Sequence, residues 1–362
     1  MIPISVPYIT EEDVEAVTNV LRSGYIAYGP KAREFEELFA SYIGVQYGAA
    51  VSNGTVGLYI ALKALGVGEG DEVITPAFSF IATANTILLA NAKPIFADID
   101  PETYTIDPED VAEKITGRTK AIVLVHLYGH PCDMKAFMEL AEDHKLYLIE
   151  DASQAHGAEY NGSKVGGLGD IGVFSLYATK NMTTGEGGIL VTDDPGIIKK
   201  VKYLMNHGQE GKYNHVALGY NFRMPDILAA MGIVQLKRLD MLNERRRQNA
   251  YYYNNRLKKL DSVITPYEDN SVKHVYHQYV IRASDRDGLK KYLEESGIQT
   301  DIHYPKPIYR QKLYVDLGYG DLRLENSEEA AREVLSIPVH PYLTKRDLNK
   351  VADKIIEYYE SR

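Results

Sequence analysis

"KAIVLVHLYG" (residues 120–129), "CDMKAFMELAEDHK" (132–145) and "LYLIEDAS" (146–153) follow one another almost without a gap. An apolar β-branched run, an amphipathic run and a second apolar run compose a strand–helix–strand unit, the building block of a parallel sheet. The alternation extends upstream. "AAVSN" reads as a short strand, and "GTVGLYIALKALG" as a helix with Val56, Ile60 and Leu65 near helical spacing and Gly66 ending it. "DEVITP" reads as a strand, "FIATANTILLAN" as a helix and "KPIFADID" as a strand. Downstream, "DIGVFSLYA" and "GGILVTD" read as two further strands flanking a Gly-rich loop.

From about residue 225 the character changes. "PDILAAMGIVQLKRLDMLNERRRQNAYYYNNRLKKL" is one long helical stretch, charged in its later half. A strand ("HVYHQYVIRA"), a helix ("DRDGLKKYLEESG"), a turn-rich segment and a last helix ("TKRDLNKVADKIIEYYESR") follow. The expected class is therefore α/β: a large domain, residues 1–245, with a mostly parallel sheet sandwiched by helices, and a smaller C-terminal α+β domain, residues 246–362.

The 362 residues are 45% hydrophobic and 25% charged, an ordinary globular composition. No apolar run approaches the roughly 20 residues needed to cross a bilayer. The first residues, "MIPISVPYITEEDVEAV", lack the basic and apolar regions of a secretory signal. A single cysteine, Cys132, has no intrachain disulfide partner, so a reducing cytoplasm is expected and Cys132 reads as a half-buried filler. The net charge of −10 repels a polyanionic backbone and argues against nucleic-acid binding. The basic run Arg245, Arg246, Arg247 lies among carboxylates and reads as a solvated helix face.

In open α/β sheets ligands collect at the carboxyl ends of the strands. Asp151 ends "LYLIED", Ser175 ends "IGVFS" with Lys180 just beyond, and Gly54 and Thr55 open a helix directly after a strand. Each has an ordinary explanation alone: a helix cap, a segment cap, a surface lysine. Together they fit pyridoxal phosphate. A helix N-terminus offers N–H groups and a favourable dipole to a phosphate, and the Ser175 hydroxyl adds to it. A carboxylate pairs with the pyridinium nitrogen, and a desolvated lysine joins the aldehyde. Phe80, after a strand, is placed to lie over the ring.

The chain resembles the nucleotide-sugar aminotransferases, a branch of the fold type I, aspartate-aminotransferase-like enzymes. The matching segments include "SGYIAYGP", "SNGTVGLYIALKALGVGEGDEVITP", "DIDPETYTID", "IEDASQAHGA", "SLYATKNMTTGEGG", "GYNFRMPDILAAMGIVQL" and "HYPKPIY", in family order from about residue 23 to 310. The resemblance implies that residues 1–245 form the coenzyme-binding domain and that Lys180 is the Schiff-base lysine. It implies that Asp151 binds the pyridine nitrogen, Gln154 the ring hydroxyl, and Gly54, Thr55 and Ser175 the phosphate. Phe80 takes the stacking position. Asn221 reaches the phosphate from the other subunit, which implies a homodimer with shared sites. Tyr177, Arg223, His303 and Tyr304 are the implied substrate contacts, and Tyr25 and Tyr28 either line the pocket or pack in a turn. The implied substrates are a nucleotide-linked keto-sugar, aminated at C3 or C4, and L-glutamate as amino donor.

Three rivals are weighed against this. A dinucleotide-dependent oxidoreductase needs a G-x-G-x-x-G turn between strand and helix, whereas the glycines of "GVGEGDEV" follow a helix and precede a strand. A catalytically silent sensor on the same fold would not need Lys180, Asp151, Gln154 and Ser175 all intact. A sugar dehydratase branch has His in place of the lysine, and this chain has Lys180. His126, His130 and His156 match no compact metal-ligand spacing, so no metal is expected.

Overall fold

The computed structural model describes residues 1–361; Arg362, the last residue of the expected final helix, lies outside the described residues. Two helices come first, α1 (Glu11–Ser23) and α2 (Pro30–Ile43). The sheet-forming part then runs β1 (Tyr47–Val51), α3 (Gly54–Ala64), β2 (Glu72–Pro76), α4 (Ala82–Leu89), β3 (Lys93–Ala97), α5 (Pro108–Lys114), β4 (Thr119–Val125), α6 (Met134–His144) and β5 (Tyr147–Asp151). The short pair β6 (Glu159–Tyr160) and β7 (Ser163–Lys164) precedes β8 (Ile171–Ser175), β9 (Gly188–Thr192) and α7 (Pro195–Met205). After the long α8 (Asp226–Leu257) come β10 (Val263–Ile264), β11 (Val272–Lys273), β12 (Tyr279–Ala283), α9 (Arg286–Glu295), the one-turn α10 (Lys312–Tyr314), α11 (Glu325–Glu333), β13 (Val334–Ile337) and α12 (Lys345–Glu360).

Seven strands form one sheet in the order β1-β9-β8-β5-β4-β2-β3. Pairings from β3 across to β8 are parallel; β9 runs antiparallel to both its neighbours, β8 and β1. The central strands are buried on both faces and read as continuous apolar runs. Their period of two still sorts side chains: Val123 and Ile149 pack into a core with Leu58, Ala61 and Val201, whereas Ile122, Leu124 and Leu148 pack with Phe137 and Met134 on the other face. Asp151 therefore shares the α3 face with Ile149, and Glu150 the opposite face. A separate core forms around Tyr253, Tyr279, Ile281, Leu289, Leu335 and Ile355, between α8, α9, α12 and the sheet β10-β12-β13.

Along α8, polar side chains reach most of the rest of the chain. The Asp226 carboxylate accepts from Gly29 N at 2.7 Å and Ala32 N at 2.9 Å, capping α2. Arg238 pairs with Asp13 at 2.7 Å. Asn243 donates to the His156 carbonyl at 2.7 Å and accepts from Asn181 at 2.8 Å. Asn249 donates to the carbonyls of Val339 and His340 at 3.2 and 3.1 Å.

Several details depart from the sequence reading. The helices α1 and α2 and the pair α11–β13 lie where no element was expected, the latter inside the turn-rich segment. Of "HVYHQYVIRA" only the second half is strand; residues 274–278 form an irregular strap, bent at Tyr276 (φ 45°), laid against Tyr128 and Gly129, with Val275 N donating to the Gly129 carbonyl at 3.1 Å. Cys132 is wholly buried rather than half-buried, its Sγ 3.2 Å from the Val125 carbonyl. Arg246 is buried and spends its guanidinium on the carbonyls of Tyr276 and His277, so the basic run is not a wholly solvated face. No helix among the described residues is long and apolar enough to cross a membrane.

Candidate active site

The carboxyl ends of β1, β2, β4, β5 and β8 share one edge of the large sheet, and a cavity of about 760 Å³ opens there. Gly54, Thr55, Phe80, Asp151, Gln154, Ser175, Tyr177, Lys180, His303 and Tyr304 all line it. Positions from Gly54 to Lys180 converge because parallel connections return each strand end to the same edge, and the C-terminal part of the chain adds His303 and Tyr304.

Lys180 sits in the loop between β8 and β9, half-buried. Burial lowers its pKa to about 8, against the opposing pull of the Asp151 charge. Asp151 is buried, and each of its oxygens has a donor. Thr83 Oγ1 donates to Oδ2 at 3.1 Å, and Ser153 N to Oδ1 at 3.1 Å. Ser79 Oγ lies 3.3 Å from Thr83 Oγ1. Because the Thr83 proton is committed to the carboxylate, Ser79 is the donor of that pair.

On one side of the cavity, α3 begins. The Asn53 side chain caps it, accepting from Val56 N at 2.9 Å, while the first-turn N–H groups of Gly54 and Thr55 have no intrahelical acceptor. Close backbone approach makes this possible. A Cβ on Gly54 would come within 2.9 Å of the Ser175 Cβ, and one on Gly188 within 2.6 Å of the Asn53 carbonyl carbon. On the other side, Gln154 is held at both ends of its amide: Oε1 accepts from Tyr128 N at 2.8 Å, and Nε2 donates to Tyr304 OH at 3.2 Å. The Tyr128 hydroxyl donates to the His303 carbonyl. His303 Nδ1 lies 2.8 Å from Ser336 Oγ, and Tyr304 packs 6.2 Å, centroid to centroid, from Phe80. Phe80 itself is 55% exposed, its ring at the cavity wall.

Two expected residues lie elsewhere. Asn221 pairs backbone with Asn206, and Arg223 with Val51 at the sheet edge; the Arg223 guanidinium is 2.5 Å from Asn206 Oδ1. Neither belongs to the cavity wall of its own chain among the described residues. Tyr25 is exposed, and the Tyr28 hydroxyl donates to the buried Glu36 carboxylate. Of the histidines weighed as metal ligands, His126 is paired with Glu150 at 3.0 Å and accepts from Cys132 N at 3.0 Å. His156 is buried beside Lys180; burial, then the lysine charge, lower its pKa to about 3 and keep it neutral. Among the described residues no group of three or more His, Cys, Asp or Glu is placed to hold a metal ion.

Thr83, Ser79, Glu186, His277 and Gln278 also line the cavity and were not singled out from the sequence. Thr83 stands one turn beyond Phe80 in "FIATAN", the one signal that places it at the same strand end. His277 and Gln278 arrive on the strap, in the half of "HVYHQYVIRA" that is not strand.

Across residues 7–356 the chain matches the DegT/DnrJ/EryC1/StrS aminotransferase family. It is 42% identical over 364 residues to a pleiotropic regulatory protein of Geobacillus stearothermophilus, covering 99% of this chain and 98% of that one. It is 38% identical over 349 residues to the dTDP-3-amino-3,6-dideoxy-alpha-D-galactopyranose transaminase of Aneurinibacillus thermoaerophilus, covering 96% and 95%. Among solved structures, S. venezuelae DesV in complex with a ketimine intermediate superposes with a TM-score of 0.95 at 36% identity, over 99% of each chain. With the match running through every strand that ends at the cavity, the chain belongs to the DegT/DnrJ/EryC1/StrS aminotransferase family.

Proposed function

We propose that this chain is a pyridoxal-phosphate-dependent aminotransferase that moves an amino group onto a keto group of a nucleotide-linked sugar, with L-glutamate as donor. The observation that carries the reading is one amine: Lys180, with its pKa brought to about 8, faces the same cavity as Asp151 and the N-terminus of α3. The cradle fits the coenzyme. The glycines at 54 and 188 let two strands and a helix start come into backbone contact, leaving N–H groups for a phosphate. Asp151 keeps an oriented carboxylate with lone pairs to spare beyond its two donors.

Pyridoxal phosphate, when bound, supplies a carbonyl that carries the amino group and a ring that takes up electrons from the substrate carbon. The protein does the rest. Lys180 Nζ would hold the coenzyme aldehyde and, as a free amine, would move the proton at the substrate carbon. Near-neutral proton affinity suits it to both steps. Asp151 holds a proton on the ring nitrogen, and Thr83 and Ser153 fix the angle at which it does so. Gln154, clamped between Tyr128 and Tyr304, meets the ring hydroxyl, and Phe80 covers the ring face. Gly54, Thr55 and Ser175 hold the phosphate. Tyr177, His303 and Tyr304 line the substrate end.

The working form is a homodimer in which Asn221 reaches the partner's phosphate and Arg223 the partner's substrate. Support comes from the segment that carries them. Its neighbours Tyr213 and Leu218 are each 80% exposed, apolar surface that a second copy would cover. The chain is read as two domains, residues 1–245 and 246–362, joined through α8, and its single cysteine suits a reducing cytoplasm.

Borohydride reduction of the loaded protein, followed by peptide mass mapping, is expected to fix the coenzyme on Lys180. Lys180→Ala is expected to lose turnover by at least about 1,000-fold. A label on another lysine, or none after incubation with excess coenzyme, overturns the assignment.

A further inference from the structure

The strap of residues 274–278 enters the cavity from the C-terminal part of the chain, and its backbone is held at nearly every residue. Val275 N donates to the Gly129 carbonyl at 3.1 Å, and Gln278 N to the Tyr128 carbonyl at 3.3 Å. Asn181, the residue after Lys180, donates to the Val275 carbonyl at 3.0 Å. Arg246 donates to the carbonyls of Tyr276 and His277 at 3.4 and 3.3 Å. A Cβ on Gly129 would meet His277 N at 3.1 Å and the Gln154 carbonyl oxygen at 3.0 Å, so the strap and the Gln154 backbone both pack closely against Gly129. The strap's one titratable side chain in the cavity wall, that of His277, is thus carried on a fixed base.

The chemistry of that imidazole follows from its surroundings. Nδ1 is buried with no hydrogen-bond partner, whereas Nε2 is not shut off in this way and is the nitrogen left to face the cavity. A neutral imidazole carries one proton. Placing it on Nδ1 would bury an orphaned donor, a rarer and costlier state than an under-used acceptor. The proton belongs on Nε2. Burial first, and then the charges of Lys180 and Arg246, hold the ring uncharged. What the strap delivers beside Lys180 is therefore an N–H donor.

We infer that His277 is a substrate-binding residue whose Nε2–H donates to an acceptor oxygen of the substrate beside Lys180, either the keto oxygen of the sugar or a carboxylate oxygen of the amino donor. This rests on the aminotransferase reading of the same cavity. The partner group must be an acceptor, since a neutral Nε2–H has nothing to offer a substrate N–H. Glutamine at this position keeps a terminal N–H donor at comparable reach, and leucine removes it.

Two measurements test this. In ¹⁵N-histidine-labelled holoenzyme, with the His277 signal assigned by its loss in His277→Gln, the tautomer is read directly. A proton on Nε2, with a shift of that signal when substrate binds, is expected; a proton on Nδ1 overturns the inference, whether or not any variant folds. In single-turnover work, each half-reaction is followed separately by the coenzyme's absorbance. His277→Leu is expected to weaken one half-reaction by about 10- to 100-fold, mostly in KM, with His277→Gln recovering most of the loss. A defect confined to the keto-sugar half identifies the keto oxygen, and one confined to the amino-acid half identifies the carboxylate. Equal rates in wild type and His277→Leu for both halves overturn the inference. A coenzyme not tethered to Lys180 would instead remove the reading beneath it, and borohydride labelling reports that separately.

Discussion

At Lys180 two opposing influences set the proton affinity of one amine: burial, which disfavours the ammonium, and Asp151, which favours it. Burial wins, and the pKa falls from 10.5 to about 8. Only the neutral amine attacks an aldehyde, so covalent capture of the coenzyme by the apo-protein should accelerate with rising pH, with a midpoint near 8. Asp151→Asn removes the influence that raises the value, so its midpoint should move lower still. Stopped-flow absorbance across pH 6–10 checks both; a midpoint near 10.5, or an upward move in Asp151→Asn, contradicts the account. Lys180 and Asp151 were legible in the sequence because each follows a strand of recognisable pattern and strand ends gather at one edge. Thr83 and His277 were not. A hydroxyl in a short helix and an imidazole on an irregular strap carry no local signature, and their importance exists only once distant segments meet.

Among the elements, the junction of β1, α3, β8 and β9 is the most tightly specified. Gly188 pairs with both Val51 and Ser175, and any side chain on it would press on the Asn53 carbonyl and Gly54 N. Gly188→Ala is expected to displace the start of α3, to cost about 1–3 kcal/mol in stability and to release coenzyme roughly tenfold faster. Lys180 would remain able to form its covalent link. Thermal melts with and without coenzyme, together with dialysis, measure this; unchanged retention would show that the start of α3 does not hold the phosphate. The neighbouring Glu150 shows the same strand end serving the opposite face. Its carboxylate accepts from His126 and from the N–H groups of Gly166, Leu168 and Gly169 at 3.0, 2.6, 2.7 and 2.6 Å. The period of two puts the two carboxylates on opposite faces of the strand, Asp151 with Ile149 on the α3 side and Glu150 away from it. The strand β13 carries little signal in the sequence: "VLSI" is four residues long and joins the end of α11 directly, with no turn between them.

For the whole molecule, the proposed sharing of sites has a test that needs no structure. Lys180→Ala and Asn221→Asp should each be nearly inactive alone. Mixed and re-equilibrated in equal amounts, they should regain roughly a quarter of wild-type activity, because half the dimers would be hybrids with one intact site of two. No recovery despite demonstrated exchange would place Asn221's role within its own chain. Leu218→Glu should weaken the dimer, which light scattering reads directly.

The 32 residues of α8, at 1.5 Å each, form a rod of about 48 Å. Through Asn243 it is fastened to Asn181, the residue after Lys180, through Arg246 to the strap, and through Asn249 to the segment after β13. Walls tied to one common helix are expected to keep their separation when a ligand arrives, which would leave little scope to grip a sugar by drawing inward. Choice among sugars would then reside in the identity of individual side chains, and re-engineering of substrate preference should succeed by exchanging those while leaving the helix untouched.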